Sequence, residues 1–218
     1  MGHRFEGWPE EAQRFFIGLE LENSRAYFEA NRNAYMTHVR APMEALLTEL
    51  EEEFGPGKIF RINRDIRFSA DKSPYKTNIA ATAGREGKGG YLSLSAKGLF
   101  VATGYHQMER DQLEQFREAV AADHTGRALV GIVGKLEETG YDIGGEELKV
   151  VPRAYARDHP RERFLRHKGI TAARDYGLQP WLGTPAARDR VADVWRDAEP
   201  LLGWLGRNVH SGMGSALD

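Results

Sequence analysis

The sequence predicts an α+β fold: one domain over residues 1–218, in which a mostly antiparallel sheet is packed by helices from the N-terminal third and the C-terminal half. Three observations support this prediction. The first third has apolar residues at helical spacing, the middle third has short strand-like runs separated by turns, and the last half returns to helical spacing. Adjacent short runs in the middle favour an antiparallel meander over alternating βαβ units.

Three helices are predicted in the first third. Pro9 suits the first turn of the first helix, and Asn23 or Ser24 can cap the second. Pro42 opens the third, which a Gly-Pro-Gly sequence at 55–57 ends.

Four strands are predicted in the middle third. Residues 60–68 alternate between apolar and polar side chains, and residues 77–83 form a second run. After a glycine-rich loop at 84–90, two runs at 91–96 and 99–105 are separated by Lys-Gly, a pair typical of a hairpin turn.

The C-terminal half is predicted to be mainly helical. Asp111 and Thr125 can each cap a helix, residues 148–151 are a short predicted strand, and residues 160–168 are a short predicted helix. The last helix follows a Thr-Pro pair, and we expect Pro200 to kink or interrupt it.

Composition places the chain among globular proteins. With 41% hydrophobic and 28% charged residues it can bury a core and is not a disordered chain. It has no cysteine, which excludes disulfides and thiol nucleophiles and is typical of a reducing compartment. The sequence has no signal-peptide run and no apolar stretch long enough for a membrane. We therefore expect a soluble cytoplasmic protein without a membrane partner.

Positive charge is concentrated in two segments. The net charge of the chain is −2, but residues 58–88 and residues 153–174 each have a net charge of +5, which leaves −12 for the remainder. The two basic segments could converge on a positive cleft that attracts anions. Alternatively, each could pair with acidic helices, such as the one that contains residues 51–53.

The segment 58–78 contains the most informative functional pattern. In a strand over 60–68, one face would pack and the other would present polar side chains. Arg64 falls on the apolar face, where a guanidinium needs a partner or a ligand. A Ser-Pro turn follows, and turns of this kind offer free backbone N–H groups.

We predict that this strand and turn bind a small phosphorylated or carboxylated anion, because arginine forks, lysine charges and backbone N–H groups are the donors that such anions prefer. The predicted ligand-binding residues of the segment are Arg61, Arg64, Arg67, Ser69, Asp71, Lys72, Tyr75, Lys76 and Asn78. Asn31 and Arg32 are expected to contribute from the second helix.

Two other interpretations of the segment stay open. In one, Asp65 or Asp71 holds Arg67 and Lys72, and the motif is an internal salt-bridge network in a structural or protein-interaction module. In the other, the basic residues contact a nucleic-acid backbone, although a sequence pI of about 6.4 disfavours it.

No motif decides whether the protein is an enzyme. The sequence has no HExxH or GxSxG motif, and the glycines at 84–90 lack the spacing of a phosphate-binding loop. No metal site, cofactor or oligomeric state is predicted. If a reaction occurs, Tyr75 or Lys72 is the expected acid or base and Asp71 its orienting group. In the segment 152–170, His159 is a candidate for a catalytic base oriented by Asp158, for ligand binding, or for a capping or surface role.

Several strings of the chain resemble one known family. They are NSRAYFEANRNAYMTHVRAPMEALL, RDIRFSADKSPYKTN, GGYLSLS and DHPRERFLRHKGI. Together they resemble the bacterial and fungal family known as domain of unknown function 2461, over about residues 5–205. That family typically has tryptophan where this chain has Tyr27, and a further asparagine where it has Glu22. The resemblance implies an α+β domain and draws attention to residues 67–78, without implying an activity.

Overall fold

The structure, a computed structural model, describes residues 4–67, 71–85 and 88–210. The strands are β1 (Gly57–Ile59), β2 (Asn78–Arg85), β3 (Lys88–Ser95), β4 (Gly98–Tyr105), β5 (Asp142–Gly144) and β6 (Ile170–Gly177). They form one antiparallel sheet in the order β1-β2-β3-β4-β6-β5. The prediction of an α+β fold with a sheet packed by helices is confirmed.

Helices precede and follow the first four strands. Before them lie α1 (Glu10–Leu21), α2 (Arg25–Ala30), α3 (Arg32–Ala34), a π-helix (Tyr35–Arg40) and α4 (Ala41–Phe54). After them lie α5 (Arg110–Ala121), α6 (Asp123–Glu138), α7 (Glu162–Leu165), a 3₁₀ helix (Pro180–Gly183), α8 (Ala186–Asp197) and α9 (Glu199–Asn208). No helix within the described residues is long and apolar enough to cross a membrane.

The described chain divides into two compact units. One contains residues 4–101 and 175–194, and the other contains residues 102–174 and 195–210. The boundaries fall inside β4, β6 and α8. That the whole chain is a single domain stays a prediction.

Aromatic packing organises the helices of the first unit. The Phe15 ring lies 6.2 Å from that of Phe28 and 5.4 Å from that of Tyr35, centroid to centroid. Burial of such rings stabilises a core both by area and by edge contacts. The helix α4 packs against β1 and β2. Its buried apolar stripe is the one that helical spacing predicts: Met43, Leu46, Leu47, Leu50 and Phe54.

The predicted second helix is interrupted. Ser24 caps α2 as expected, because its Oγ accepts a hydrogen bond from Tyr27 N at 3.0 Å. The helix ends at Asn31, whose Nδ2 donates to Tyr27 O at 2.9 Å, and the backbone there leaves helical geometry. The chain then resumes as α3 and the π-helix, which runs directly into α4.

The second unit is built around α5, α6 and α9. Phe116 of α5 meets Trp204 of α9 edge to face at 5.8 Å, and Trp204 Nε1 donates to Thr125 O at 2.9 Å. The predicted capping residues of two helices are wrong. Glu109 caps α5, because its side chain and that of Gln112 form a reciprocal capping box, and α6 already begins at Asp123.

The predicted strand at 60–68 is wrong. Residues 60–67 form no strand, because their backbone pairing is too short: Phe60 N donates to Ala80 O, and one isolated bridge joins Asn63 to Tyr75. Ile62 is buried, whereas Phe60 and Ile66 are 36% and 39% exposed, so the apolar positions do not share one packed face. Position 68 lies outside the described residues.

Two further strand predictions need correction. Residues 148–151 form no strand, because Val150 is exposed and pairing nearby is limited to a bridge from Glu147 to His167. The predicted loop at 84–90 is shorter than expected, since β2 and β3 stay paired as far as Arg85 and Lys88. The strand β6 was not predicted, because its residues lack a run of β-branched side chains.

Two glycines of α6 should respond oppositely to substitution by alanine. A Cβ on Gly126 would lie 2.1 Å from Val120 O, whereas a Cβ on Gly131 would meet nothing within 4 Å. We expect Gly131→Ala to raise the free energy of unfolding by about 0.5–1 kcal/mol, because alanine is the better helix former. We expect Gly126→Ala to lower it. Urea denaturation of both variants checks this, and a Gly126→Ala variant as stable as the parent would contradict the packing.

Candidate functional site

Tyr75 is anchored to the start of α2. The Asn23 side chain donates from Nδ2 to Tyr75 O at 3.0 Å, and Tyr75 N donates to Asn23 Oδ1 at 3.1 Å. The Tyr75 ring stacks on Phe28 of α2, with centroids 4.4 Å apart and an angle of 17° between the planes. The amide therefore satisfies both backbone groups of Tyr75, as a neighbouring strand would. This contact joins two of the strings that resemble the family.

Arg64 has the partner that its position demanded. Its guanidinium pairs with Asp71 at 2.9 Å. Asp71 also accepts hydrogen bonds from Ser73 N at 2.9 Å and Ser73 Oγ at 2.6 Å. These bonds from Ser73 and the nearby Arg64 hold the pKa of Asp71 below its ordinary value, so its carboxylate stays ionised.

Other charged groups of the same segment are also paired locally. Arg67 makes two hydrogen bonds to Asp65, at 3.0 and 2.7 Å, and they lower the pKa of that carboxyl group. Lys72 Nζ donates to Ile66 O at 2.9 Å. Because Arg67 is 76% exposed, the pair with Asp65 shapes the surface of the loop rather than a buried core.

A pocket of about 520 Å³ lies in the first unit, between α2, the π-helix and the loop after β1. Its lining residues are Arg25, Phe28, Glu29, Arg32, Tyr35, Met36, Arg40, Arg61, Ile62, Asn63, Pro74 and Tyr75. We call it the arginine pocket. Its aromatic residues Phe28, Tyr35 and Tyr75 are each at least 95% buried, so they form a fixed apolar base beside four guanidinium groups.

Only part of the positive charge in the arginine pocket is compensated. Glu29 holds Arg32 through two hydrogen bonds of 2.9 and 2.6 Å, and Glu44 holds Arg40 at 2.8 Å. Arg25 and Arg61 form no hydrogen bond or ion pair with any residue that the structure describes. The pocket therefore has two guanidinium groups available for a ligand.

Two titrating groups of the pocket have shifted pKa values. The hydrogen bond from Arg32 lowers the pKa of Glu29, which keeps this carboxylate ionised. Burial raises the pKa of Tyr35, so its phenol stays neutral near pH 7. Neither shift produces an acid or a base that exchanges protons near neutral pH.

The π-helix helps to align three of the arginines. Arg32 follows Arg25 by seven positions, across the break in the helix at Asn31, and Arg40 follows Arg32 by eight. A π-helical turn contains an additional residue, so the segment Tyr35–Arg40 absorbs the eighth position. Arg40 consequently lines the same pocket as the other two. Single π-helical turns are rare and are often found at functional sites.

The structure divides the predicted ligand-binding residues into three groups. Those that line the arginine pocket are Arg32, Arg61 and Tyr75. Those that are described but do not line it are Asn31, Arg64, Arg67, Asp71, Lys72, Lys76 and Asn78. Of the last two, Lys76 lies over the Phe60 ring at 5.9 Å and Asn78 begins β2. Ser69 lies outside the described residues.

Nine lining residues were not predicted: Arg25, Phe28, Glu29, Tyr35, Met36, Arg40, Ile62, Asn63 and Pro74. Together with Arg32, the arginine and aromatic residues between positions 25 and 40 recur every three to five positions, which forms a stripe of these side chains along the helical segment. This stripe could have been recognised in the sequence, although an α-helical wheel places Arg40 away from Arg25 and Arg32.

The second basic segment, 153–174, has internal roles in the second unit. Arg161 is 7% exposed and donates to Val120 O and Ala121 O, each at 2.7 Å, while it also pairs with Asp123 at 3.2 Å. It therefore neutralises the carbonyl end of α5. His159 accepts a hydrogen bond from Arg161 N at 3.1 Å, which agrees with a capping role. Convergence of this segment with residues 58–88 stays a prediction.

His167 is the buried histidine of the second unit. Its Nδ1 lies 3.1 Å from Gly169 O, its Nε2 lies 3.4 Å from Glu147 Oε1, and its ring stacks on Phe164. Burial lowers the pKa of His167, although the Glu147 carboxylate opposes that shift. Among the described residues no group of three or more His, Asp or Glu side chains could hold a metal ion.

The fold and the pocket together define an α+β protein with an antiparallel sheet and an arginine-lined pocket beside a π-helix. The model of the family described as conserved hypothetical protein (DUF2461) matches residues 11–204, and the chain belongs to this family. No curated protein and no solved structure matches the chain.

Loss of the Asn23 amide should destabilise the first unit. Asn23→Ala leaves Tyr75 N without its partner and leaves Tyr75 O with only the longer contact of 3.5 Å from Arg64 Nη2, and we expect the free energy of unfolding to fall by about 1–3 kcal/mol. Asn33→Ala is the matched control, since Asn33 is an exposed residue of α3. Urea denaturation measures both, and equal stability of the two variants would contradict the anchoring role.

Burial of His167 should make stability fall in mild acid. The unfolded chain binds a proton at an ordinary histidine pKa near 6.5, whereas the folded chain binds it only at lower pH. The contribution is therefore fully present above pH 6.5 and is lost as the pH falls through the folded pKa. We expect His167→Gln to flatten the dependence of unfolding free energy on pH between about 7 and 5. A variant with the slope of the parent would argue against a neutral buried ring.

Proposed function

We propose that this protein is a cytoplasmic domain that binds a small phosphorylated or carboxylated ligand in the arginine pocket. The observation that carries the proposal is the presence of Arg25 and Arg61 without a described partner in a pocket that also contains Arg32 and Arg40. Guanidinium groups present paired donors that match the oxygens of phosphates and carboxylates. The absence of cysteine supports the cytoplasmic part of the proposal.

The size and lining of the pocket also support binding of a small molecule. A volume of about 520 Å³ lies within the range of roughly 300–1,000 Å³ that is usual for small-molecule sites. Such sites combine apolar walls with a few polar groups that orient the ligand. Here the aromatic rings provide the walls and the arginines provide the polar groups.

A structural role explains the basic residues Arg64, Arg67 and Lys72 better than ligand binding does. Arg64, Arg67 and Lys72 each contact an acidic or carbonyl oxygen of the same segment. This observation favours the internal salt-bridge interpretation for residues 64–73, while Arg61 and Tyr75 at the two ends of the segment line the pocket. The loop then serves to present these two residues, and binding and structural roles coexist in one motif.

A thermal-shift series tests the proposal. Phosphate, pyrophosphate and citrate, at matched ionic strength, should raise the melting temperature of the parent, because a ligand that binds the folded state alone stabilises it. Arg25→Ala and Arg61→Ala should reduce the shift. Arg67→Ala should keep it, because Arg67 is exposed, pairs with Asp65 and does not line the pocket.

Two outcomes would overturn the proposal. One is the absence of a shift with every anion. The other is an equal shift in the parent and in Arg61→Ala. A large loss of melting temperature in Arg67→Ala without ligand would favour a purely structural motif instead, since an exposed ion pair contributes little.

A further inference from the structure

The charges around the arginine pocket define how much negative charge a ligand can neutralise. Of the four guanidinium groups, that of Arg32 is hydrogen-bonded to Glu29, which also lines the pocket, and that of Arg40 to Glu44, which does not. Arg25 and Arg61 are the two without a hydrogen bond or ion pair to a described residue, and each only lowers the pKa of a nearby carboxyl group, that of Glu29 and that of Asp65. We therefore count two guanidinium charges as available to a ligand. A carboxylate ligand would neutralise one of them. A phosphate monoester, with about −1.5 to −2 charges at pH 7, would neutralise both.

The two available arginines belong to different elements. Arg25 is the first residue of α2, and Arg61 follows β1 in the loop. Both side chains are exposed, so each can turn its donors toward a ligand. A phosphate group has three terminal oxygens, so it can give each of two guanidinium forks its own acceptors, whereas two forks on a carboxylate would have to share its two oxygens.

The rest of the pocket is suited to an uncharged organic group. Phe28, Tyr35, Ile62 and Pro74 give it apolar walls, and Met36 is 45% exposed at its surface. Methionine adapts its shape to the surface of a ligand because it is unbranched and polarizable. A volume of about 520 Å³ leaves room for such a group beside the phosphate.

We propose that the ligand of the arginine pocket is a small phosphate monoester with an apolar organic group, bound as the dianion between Arg25 and Arg61. This inference rests on the proposed function and narrows it, because carboxylates and inorganic anions become weaker ligands of the same site.

We expect the affinity to depend on pH through the protonation of the ligand and not through the pocket. Arg32 keeps the pKa of Glu29 low, and the guanidinium groups stay charged, so the pocket has a constant charge between pH 5 and 7.5. A phosphate monoester loses its second proton with a pKa of about 6, so only about a tenth of it is dianionic at pH 5. Affinity should therefore be about tenfold lower at pH 5 than at pH 7.5.

Titration calorimetry with three probes tests the inference at pH 7.5. Phenyl phosphate has both the dianion and the ring, benzenesulfonate has the ring with a single charge, and inorganic phosphate has the anion without the ring. We expect phenyl phosphate to bind at least about tenfold more tightly than either of the others. Its affinity should fall at pH 5, whereas that of benzenesulfonate should not change.

Substitutions in the pocket test which residues bind the phosphate group and which contact the organic group. Arg25→Gln and Arg61→Gln should each remove most of the preference for phenyl phosphate over benzenesulfonate. Met36→Ala should weaken phenyl phosphate and leave inorganic phosphate unchanged. Arg67→Gln is the control, and it should bind all three probes as the parent does, because Arg67 does not line the pocket.

The failures of the two proposals are distinguishable. Equal affinity for phenyl phosphate and benzenesulfonate would contradict the inference that the ligand binds as a dianion. Equal affinity for phenyl phosphate and inorganic phosphate would contradict the inference that the pocket binds an organic group. In both cases anion binding in the pocket would stand. If none of the three probes bound, and the anions of the thermal-shift series also failed, the proposed function itself would be wrong.

Discussion

The two hydrogen bonds between the Asn23 amide and the Tyr75 backbone are the constraint on which the arginine pocket depends. The loop after β1 has little secondary structure of its own, and a single bridge holds Tyr75 to the opposite side of the loop. The amide and the stacked ring of Phe28 attach this loop to α2. One wall of the pocket comes from the loop and the other from the helices, so this contact joins the two walls. A small polar contact thus determines the geometry of a much larger charged surface.

The charged residues near the contact between Asn23 and Tyr75 fall into two groups, those that pair with each other and those that do not. In the loop, Arg64 and Asp71 bond to each other and fix the course of the backbone. In the pocket, Arg25 and Arg61 keep their charge available, although Glu29 lies in the same lining. Glu29 makes two short hydrogen bonds to Arg32, and its interaction with Arg25 is electrostatic only. The paired charges therefore hold their side chains in place, and the proposed ligand binding rests on the two arginines without such a pair.

Much of the helical part of the fold could be predicted from the sequence, because capping serines and prolines act locally. Ser24 begins α2 and Pro200 lies in the first turn of α9, as local chemistry requires. The strand predicted at 60–68 failed because alternation specifies a strand only where a partner strand lies alongside. Family resemblance and charge drew attention to a segment of which Arg61 and Tyr75 line the pocket. Arg40 was not predicted, because its position depends on a π-helical turn that no sequence pattern used above reveals.

The π-helix has a consequence for how the chain can evolve. The π-helix adds one residue between two helical faces. One face lines the pocket, and the other, in α4, contains the buried Leu46 and Leu50. The helix α4 packs against β1 and β2. Removal of one residue from Tyr35–Arg40 would restore an ordinary α-helix at almost no cost to the backbone. It would, however, rotate the pocket face by about 100° relative to the core face, since each α-helical residue turns by that angle. The length of the segment Tyr35–Arg40 therefore fixes the angle between the face that lines the pocket and the buried face of α4. A deletion in this segment would change that angle, whereas a substitution that keeps the length would not.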